Sequence, residues 1–438
     1  MRDILLLGIV LGALPFALRH TWIGVLLWTW ISIMNPHKLA FGFANNAPWG
    51  VIVAGVTILS LFITRDKISM PWNPPVKVLF AFVIWMCVTT AFAFYPLLSW
   101  DHLDRVLKIQ LMTAIAFAAL RERKHIELFV WVNALSIGFY GFKGGIFTIT
   151  TGGASTVWGP PGGFIGGNNE IALALVLTIP LMNYLRIVAT RQWIRLGLLA
   201  LMVLSAVAAI GTQSRGAFLA MVAMGLVLWS RSNRKLVTGV TVAILAVCII
   251  AFMPSSWEQR MSGIQDYEQD TSAMGRINAW RMTFNLANSR FSGGGFESYT
   301  PEIFAQYAPD PNDLHVAHSI YFSVLGEHGY LGLVLFLLIW WLAFQTAGKI
   351  RKEALLREET QWAFYLAGMC QVSLAGYAVG GAFLSLAYFD LPYNILVILV
   401  VTLRWLREKR WETETLGVFG AMAPTSQVRV AAIRKFQS

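Results

Sequence analysis

A histidine at the edge of a long polar stretch is the first residue in this sequence whose type suits chemistry. His318 follows the polar interval Ser255 to Ala317 and precedes an apolar run. An imidazole titrates near pH 6.5, so it can accept a proton at neutral pH as a general base. The alternative is a structural histidine at a helix start, hydrogen-bonded by Ser319. His315 and His328 compete for the same chemical role.

Three arginines are candidates for binding an anion. Arg215 begins an apolar run, and Arg260 follows it in sequence. Arg276 lies in a predicted amphipathic helix, with Trp280 one turn later on the same face, and Ile277, Trp280 and Phe284 are predicted to form the apolar stripe of that helix. A guanidinium binds phosphate oxygens through two parallel hydrogen bonds. For Arg215 the alternative is a side chain that snorkels to lipid headgroups. Arg260 fits a ligand contact and an ordinary surface position equally well.

Metal ligands have no convincing pattern in the sequence. Asp266, Glu268 and Asp270 are close together, but no histidine or cysteine pattern accompanies them, and their spacing differs from that of a calcium loop. We therefore predict a site without metal or cofactor, in which arginines carry the charge of a bound phosphate.

A glycine-rich link, Thr151 to Glu170, precedes another apolar run. We favour a flexible loop in which Asn169 caps the following helix. The alternative is a loop whose backbone amides and asparagines contact the hydroxyls of a sugar. Arg105 and Lys108 form a further basic spot, to which we assign no role.

The elements that must position these residues are membrane helices. Hydrophobic residues make up 56% of the chain and charged residues 13%, with a mean hydropathy of +0.59, whereas a soluble domain has about twice that charged fraction. The net charge of +11 comes from short clusters between apolar runs, which indicates positive-inside topology rather than a nucleic-acid surface.

The cysteines lie inside apolar runs, so neither a disulfide framework nor a zinc site is expected. The N-terminus lacks a cleavage pattern typical of a signal peptide.

Basic clusters on alternate links predict which links face the cytoplasm. We expect an all-α polytopic protein of about twelve transmembrane helices, with both ends in the cytoplasm and residues 1–34 crossing as one broken helix. One of the predicted crossings is the apolar run 361–386. The predicted units are N-terminal transmembrane helices at 1–253, a large outer loop with short helices at 254–318, C-terminal transmembrane helices at 319–411 and a cytoplasmic tail at 412–438. No internal repeat of the kind found in many transporters is visible.

Several motifs together resemble the O-antigen ligase and O-antigen polymerase superfamily. His318-Ser319, followed by nine residues, Gly329, two residues and Gly332, is similar to that family's His-(Asn/Ser)-x9-Gly-x2-Gly signature. Arg215 to Leu219 fits an Arg-x3-Leu element. The run from Asp270 to Trp280, with Phe291 to Gly295 after it, resembles the family's large outer loop. The resemblance covers roughly Glu170 to Gln345.

The resemblance implies a GT-C-like fold and a metal-independent, inverting glycosyltransferase in the bacterial inner membrane, with its active site facing the periplasm. The donor would be a glycan on undecaprenyl pyrophosphate, and the favoured acceptor a hydroxyl of the lipid A core oligosaccharide. His318 would be the general base, and Arg215 and Arg276 would bind pyrophosphate. Arg260, Ser319, Trp280 and Tyr321 are predicted to contact substrate.

Two other classes of function are considered, a further enzyme of the same family and a transporter. An O-antigen polymerase and a protein O-oligosaccharyltransferase would use the same motifs with a different acceptor. A transporter of lipid-linked glycans is less favoured, because charges concentrate at the ends of the predicted helices. Membrane lipids are the other expected partners, and nucleic acid is not one.

Overall fold

A computed structural model describes residues 1–231, 236, 239 and 271–414, and these residues contain α-helices and short 3-10 turns without any strand. The all-α prediction is confirmed. The helices are α1 (Arg2–Arg19), α2 (Thr21–Met34), α3 (Trp49–Ile63), α4 (Pro74–Ala91), α5 (Pro96–Ala119), α6 (Arg123–Thr150), α7 (Asn168–Val188), α8 (Gln192–Gly211), α9 (Arg215–Arg231), α10 (Thr271–Ser289), α11 (Pro301–Tyr307), α12 (Ile320–Ala354), α13 (Gln361–Gly380) and α14 (Asp390–Arg407).

Five helices in the described part of the chain are long and apolar enough to cross a membrane: α4, α7, α8, α12 and α13. The apolar helices α2, α3 and α9 are shorter. Large apolar side chains such as Phe62 and Trp341 point outward from the bundle, as expected for a surface that contacts hydrocarbon. The chain therefore has the character of a multi-pass membrane protein. The number of about twelve crossings stays a prediction.

The centre of the bundle is built from α7 and α14. Almost every residue of α14 from Asp390 to Leu406 is buried, and so are most residues of α7. Helices that are apolar around their whole circumference are stable only when other helices surround them. α9 packs against α7 and α12 packs against α14, while α10 packs on α12.

The links between helices gather at two ends of the bundle, which we call the loop end and the basic end. The loop end contains the links 35–48, 92–95, 151–167, 212–214, 290–319 and 381–389. Contacts join them: Phe94 N–H donates to the Gly294 carbonyl at 2.9 Å, and Val157 N–H donates to the Gly211 carbonyl at 3.0 Å. The rings of Phe164 and Phe389 lie 6.4 Å apart.

The basic end contains the links 64–73, 120–122, 355–360 and 408–414. Arg121 pairs with Glu408 at 2.8 Å, and Arg404 donates to the carbonyl of Ser69 at 2.7 Å. Arg357 lies over the ring of Trp411 at 5.6 Å. The basic clusters around Arg121 and around Arg404 to Arg410, which were predicted to lie on one side, meet at this end of the bundle. The predicted cytoplasmic orientation of this end stays a prediction.

The N-terminal segment differs from its prediction. Residues 1–34 form two helices, α1 and α2, that pack against each other in opposite directions. Asp3 accepts hydrogen bonds from the backbone of Gly42 and Ala44 at the loop end, whereas His20 contacts Asp66 at the basic end. The polar pair Arg19-His20 thus marks a reversal rather than a break within one crossing. The expectation that residue 1 lies at the same end as residue 414 is wrong.

Part of the prediction lies outside the described residues. This applies to the apolar segment 235–253 apart from two positions, to Cys248, to the beginning of the large loop at 254–270 with Arg260 and the three carboxylates, and to the tail from 415 onward. The unit boundaries stay predictions.

Candidate functional site

His318 lies at the loop end, two residues before α12 begins. Its backbone has φ +43°, a left-handed conformation that is uncommon for residues other than glycine. The ring is partly buried, and its Nδ1 lies 3.5 Å from Ser385 Oγ. Burial, together with the positive charge of Arg276 and the neighbouring His315, lowers the pKa of His318 to about 4. The imidazole is therefore neutral at pH 7 and able to accept a proton.

Arg276 projects from α10 toward the same region. Its Nη1 donates to the carbonyl oxygen of Phe383 at 3.5 Å, and its charge acts on both His318 and Glu170. Phe383 is two residues before Ser385, the contact of His318. A guanidinium from α10 and an imidazole from the link before α12 are thus held at one short segment.

Trp280 connects α10 to the residue before the histidine. Its indole N–H donates to the Ala317 carbonyl at 2.6 Å, and its ring stacks on Phe322 with centroids 4.8 Å apart. The predicted shared face of Arg276 and Trp280 is confirmed, because the Trp280 ring also lies 6.4 Å from Phe383. In this structure Trp280 fixes the position of α10 relative to the start of α12.

Arg215 is the first residue of α9, where the helix packs against the same segment. A Cβ added to the next residue, Gly216, would lie 3.2 Å from Phe383 Cβ and 3.5 Å from Leu384 Cγ. The start of α9 thus lies beside the segment that Arg276 and His318 contact. The start of α9, Arg276 of α10 and His318 in the link before α12 thus all lie beside Phe383 to Ser385.

The remaining predicted contact residues differ in their surroundings. Ser319 is 1% exposed, and its hydroxyl makes no hydrogen bond with any residue that the structure describes. Tyr321 donates its hydroxyl proton to the Ala378 carbonyl at 2.7 Å, which ties α12 to α13. Arg260 lies outside the described residues, as noted above.

The two competing histidines have other partners. His315 packs against Gly275 and lies 2.8 Å from the Asp313 carboxylate. His328 is fully buried, with its Nδ1 2.7 Å from Thr89 Oγ1. Within the described ranges, no cluster of three or more histidine, cysteine, aspartate or glutamate side chains has an arrangement that could hold a metal ion.

The first glycine of the signature, Gly329, has a structural explanation. Gly329 interrupts α12 with φ +65°, and a Cβ there would lie 2.1 Å from the Phe291 carbonyl oxygen. The interruption leaves carbonyls of α12 without helical partners, and the loop supplies them: Gly294 N–H donates to Gly326 at 2.8 Å, and Gly295 N–H donates to Glu327 at 2.9 Å. The motif thus docks the large loop onto the helix that begins beside His318.

A buried polar network lies beneath this docking point. Tyr388 donates its hydroxyl proton to Glu327 Oε2 at 2.5 Å, and both residues are buried. The Nε2 of His328 lies 4.0 Å from the same carboxylate oxygen. Because Tyr388 is three residues after Ser385, this network anchors the segment that contacts His318.

The segment 381–389 is the part of the site that the sequence did not reveal. We predicted one apolar crossing over residues 361–386, but α13 ends at Gly380, and the chain continues as a 3-10 turn, Gly381–Phe383, and then as bends and a turn up to Phe389. The paired glycines at 380 and 381 were the available signal. The contacts to Arg276 use a backbone carbonyl, which any residue type supplies.

The buried face of α10 also differs from the prediction. We expected Ile277, Trp280 and Phe284 to form its apolar stripe, but Phe284 is half exposed. Met282 and Leu286 are instead fully buried against α11. The helix is rotated so that Trp280 faces Phe322 rather than the core of the loop.

Family models match two overlapping parts of the chain. Residues 1–190 match the model of a family of unknown function, and a search of curated proteins found no match. Residues 172–337 match the model of the O-antigen ligase family. That range includes Arg215, Arg276, His318 and the broken helix at Gly329. Residues 172–337 of this chain are therefore similar to the O-antigen ligase-like superfamily.

Proposed function

We propose that this protein transfers a glycan from undecaprenyl pyrophosphate to an acceptor hydroxyl, with inversion at the anomeric carbon and without a metal ion. Lipid A core oligosaccharide is the acceptor that we favour, and the reaction would take place at the periplasmic face of the bacterial inner membrane. The observation that carries the proposal is the approach of His318 and Arg276 to one segment, Phe383 to Ser385.

His318 acts as the general base. In the tautomer that donates from Nδ1 to Ser385 Oγ, the lone pair on Nε2 accepts the proton of the acceptor hydroxyl. The acceptor oxygen forms a bond to the anomeric carbon while the bond from that carbon to the phosphate oxygen breaks. General-base assistance of this kind contributes about 10²- to 10⁴-fold to the rate.

Arg215 and Arg276 stabilise the leaving pyrophosphate. The electron pair of the broken bond stays on the phosphate oxygen, where planar guanidinium groups can form paired hydrogen bonds. Charge stabilisation at a partly buried site is commonly the largest single contribution to catalysis. Pyrophosphate leaves without protonation, so the mechanism does not need a second carboxylic acid.

Donor binding also changes the basicity of the imidazole. The charge of Arg276 lowers the pKa of His318, and an anionic pyrophosphate bound to Arg276 offsets that charge. The pKa of His318 therefore rises when the donor is bound and falls again when pyrophosphate departs. This coupling promotes proton uptake during transfer and proton release afterward.

The test uses purified protein in lipid nanodiscs with a polyprenyl-pyrophosphate glycan and a chelator of divalent metals. Lipid A core oligosaccharide, a second glycan repeat unit and a serine-containing peptide are offered as separate acceptors. We expect glycan on the lipid A core. Modification of the repeat unit indicates a polymerase, modification of the peptide indicates a protein oligosaccharyltransferase, and no product with any acceptor contradicts the proposal.

A further inference from the structure

The link between α6 and α7 presents a tryptophan to the outside of the protein. Trp158 is 65% exposed, although its neighbours Val157 and Pro160 are buried. Exposing a large aromatic ring to water costs free energy relative to burying it. A ring that is held outward by an otherwise well-packed link is therefore a candidate contact for a ligand.

The backbone on both sides of Trp158 is fixed by hydrogen bonds. Val157 N–H donates to the Gly211 carbonyl at 3.0 Å, and Gly159 N–H donates to the Gly166 carbonyl at 3.2 Å. Val157 also packs on Gly144 of α6. A ring on a fixed backbone loses little conformational entropy when a ligand binds. This contradicts our expectation of a freely flexible glycine-rich loop at this point.

The same link is attached to the turn that leads to Arg215. Gly211 ends α8, and Arg215 begins α9 four residues later. Asn168, at the other end of the link, donates from Nδ2 to the Thr212 carbonyl at 2.9 Å. Trp158 is therefore joined through Gly211 to the turn that carries one of the proposed pyrophosphate-binding arginines.

We infer that Trp158 is a carbohydrate-stacking residue that binds a pyranose ring of a glycan substrate. A pyranose has an apolar face of C–H groups edged by hydroxyls, and an indole offers a flat apolar face with one N–H donor. A glycan whose first sugar is bound through pyrophosphate near Arg215 extends away from that group. The identity of this ligand rests on the proposed function. The donor glycan and the acceptor glycan both present a pyranose face, so the stacked sugar belongs to one of these two substrates.

The membrane interface offers another explanation for an exposed tryptophan, and the chain contains a matched control for it. Trp193, in the first turn of α8, is 68% exposed. Tryptophans at a bilayer interface act as anchors irrespective of any substrate. A leucine serves as an apolar anchor but provides no aromatic face, so Trp158→Leu and Trp158→Phe separate the two explanations.

The experiment measures KM for donor and acceptor separately with wild type, Trp158→Ala, Trp158→Leu, Trp158→Phe and Trp193→Ala in nanodiscs. We expect the alanine and leucine variants at 158 to raise one of the two KM values about 3- to 10-fold with kcat within about twofold, the scale of one aromatic contact. Trp158→Phe should retain most of the affinity, and Trp193→Ala all of it. The KM value that rises identifies the stacked sugar as donor or acceptor.

A binding measurement that needs no catalysis separates this inference from the proposed function. The oligosaccharide released from the donor is titrated against wild type and Trp158→Ala by saturation-transfer NMR. Oligosaccharide binding that depends on Trp158 supports the inference even if no transfer is found. Normal transfer and equal binding by wild type and Trp158→Ala overturn the inference alone, and wild-type KM values for Trp158→Leu do the same.

Discussion

The two ends of the bundle use charged residues in different ways. At the basic end, arginines pair with carboxylates of the protein: Arg121 with Glu408 at 2.8 Å and Arg123 with Glu127 at 2.7 Å. At the loop end, His318 lies beside a serine hydroxyl, and Arg276 donates to a backbone carbonyl while its charge also acts on the Glu170 carboxyl. The Arg121–Glu408 pair joins the link before α6 to the end of α14, and the Arg123–Glu127 pair lies within α6. At the loop end, the guanidinium of Arg276 can bind an anionic group of a substrate, and the neutral imidazole of His318 can accept a proton from a substrate.

Among variants that test the difference between the two ends, we expect the largest loss of glycan transfer from a change at Arg276. Arg276→Lys keeps a positive charge but removes the planar pair of donors, so kcat/KM should fall about 10²-fold, on the scale of one lost transition-state hydrogen bond. Arg281→Lys, on the exposed side of the same helix, should leave transfer unchanged. Equal activity of both variants would remove Arg276 from the pyrophosphate site.

The same arginine provides a test by pH. A base must be deprotonated, so kcat/KM of the wild type should fall only as the pH decreases toward about 4, the pKa of His318. Arg276→Gln removes a charge that lowers this pKa, so the pKa rises, and the decrease of its residual activity should begin at higher pH. If the activity of Arg276→Gln decreased over the same acidic pH range as that of the wild type, the effect of Arg276 on the pKa of His318 would be contradicted.

A mutation that disturbs the contact between the large loop and α12 should cause the next largest loss of glycan transfer. Gly329→Ala places a Cβ 2.1 Å from the Phe291 carbonyl and strains a backbone at φ +65°. The strain costs about 1–3 kcal/mol before the clash is counted, so we expect faster proteolysis of the loop and transfer reduced about tenfold. Gly348→Ala is the matched control on the same helix, because its nearest atom is 3.8 Å away. Equal proteolysis of the two variants would show that the loop does not depend on Gly329.

Disrupting the buried Glu327–Tyr388 pair beneath the site should reduce glycan transfer less. Glu327→Leu leaves the Tyr388 hydroxyl buried without its acceptor, which costs about 1–3 kcal/mol of stability. Because Tyr388 belongs to the same segment as Ser385, we expect a few-fold decrease in kcat. Glu327→Gln keeps an acceptor and should recover most of both properties. A thermal-unfolding midpoint for Glu327→Leu equal to that of wild type would exclude this anchoring role.

The smallest effect on transfer is expected at the basic end. Arg121→Gln breaks the pair with Glu408, so the unfolding midpoint should decrease, while kcat/KM of the remaining folded protein stays within about twofold of wild type. Parallel assays of unfolding and transfer check this expectation. A large loss of transfer in folded Arg121→Gln would show that the two ends are not separate in function.

Much of this arrangement was predictable from the sequence. Hydropathy indicated the all-α class, and clusters such as Arg121 to Lys124 predicted a basic end, because charge and apolar length act locally along the chain. The helix over Thr271–Ser289 and the position of His318 just before a helix were predictable for the same reason.

The remaining features depend on contacts between distant residues. Phe383 contributes a backbone carbonyl to Arg276, and Gly294 and Gly295 supply N–H groups to α12, so their side chains carry little information about the contact. The reversal at His20 depends on Asp66, which is remote in sequence. Trp158 is a further case, because its exposure depends on how the link packs on Gly211.

The most direct measurement compares wild type with His318→Ala in a single-turnover assay without divalent metal, using donor in excess of its dissociation constant. We expect His318→Ala to be folded and to bind the polyprenyl-pyrophosphate glycan normally, but to transfer it at least about 10²-fold more slowly. Transfer by His318→Ala at the wild-type rate would contradict the assignment of this imidazole as the base and, with it, the proposed mechanism.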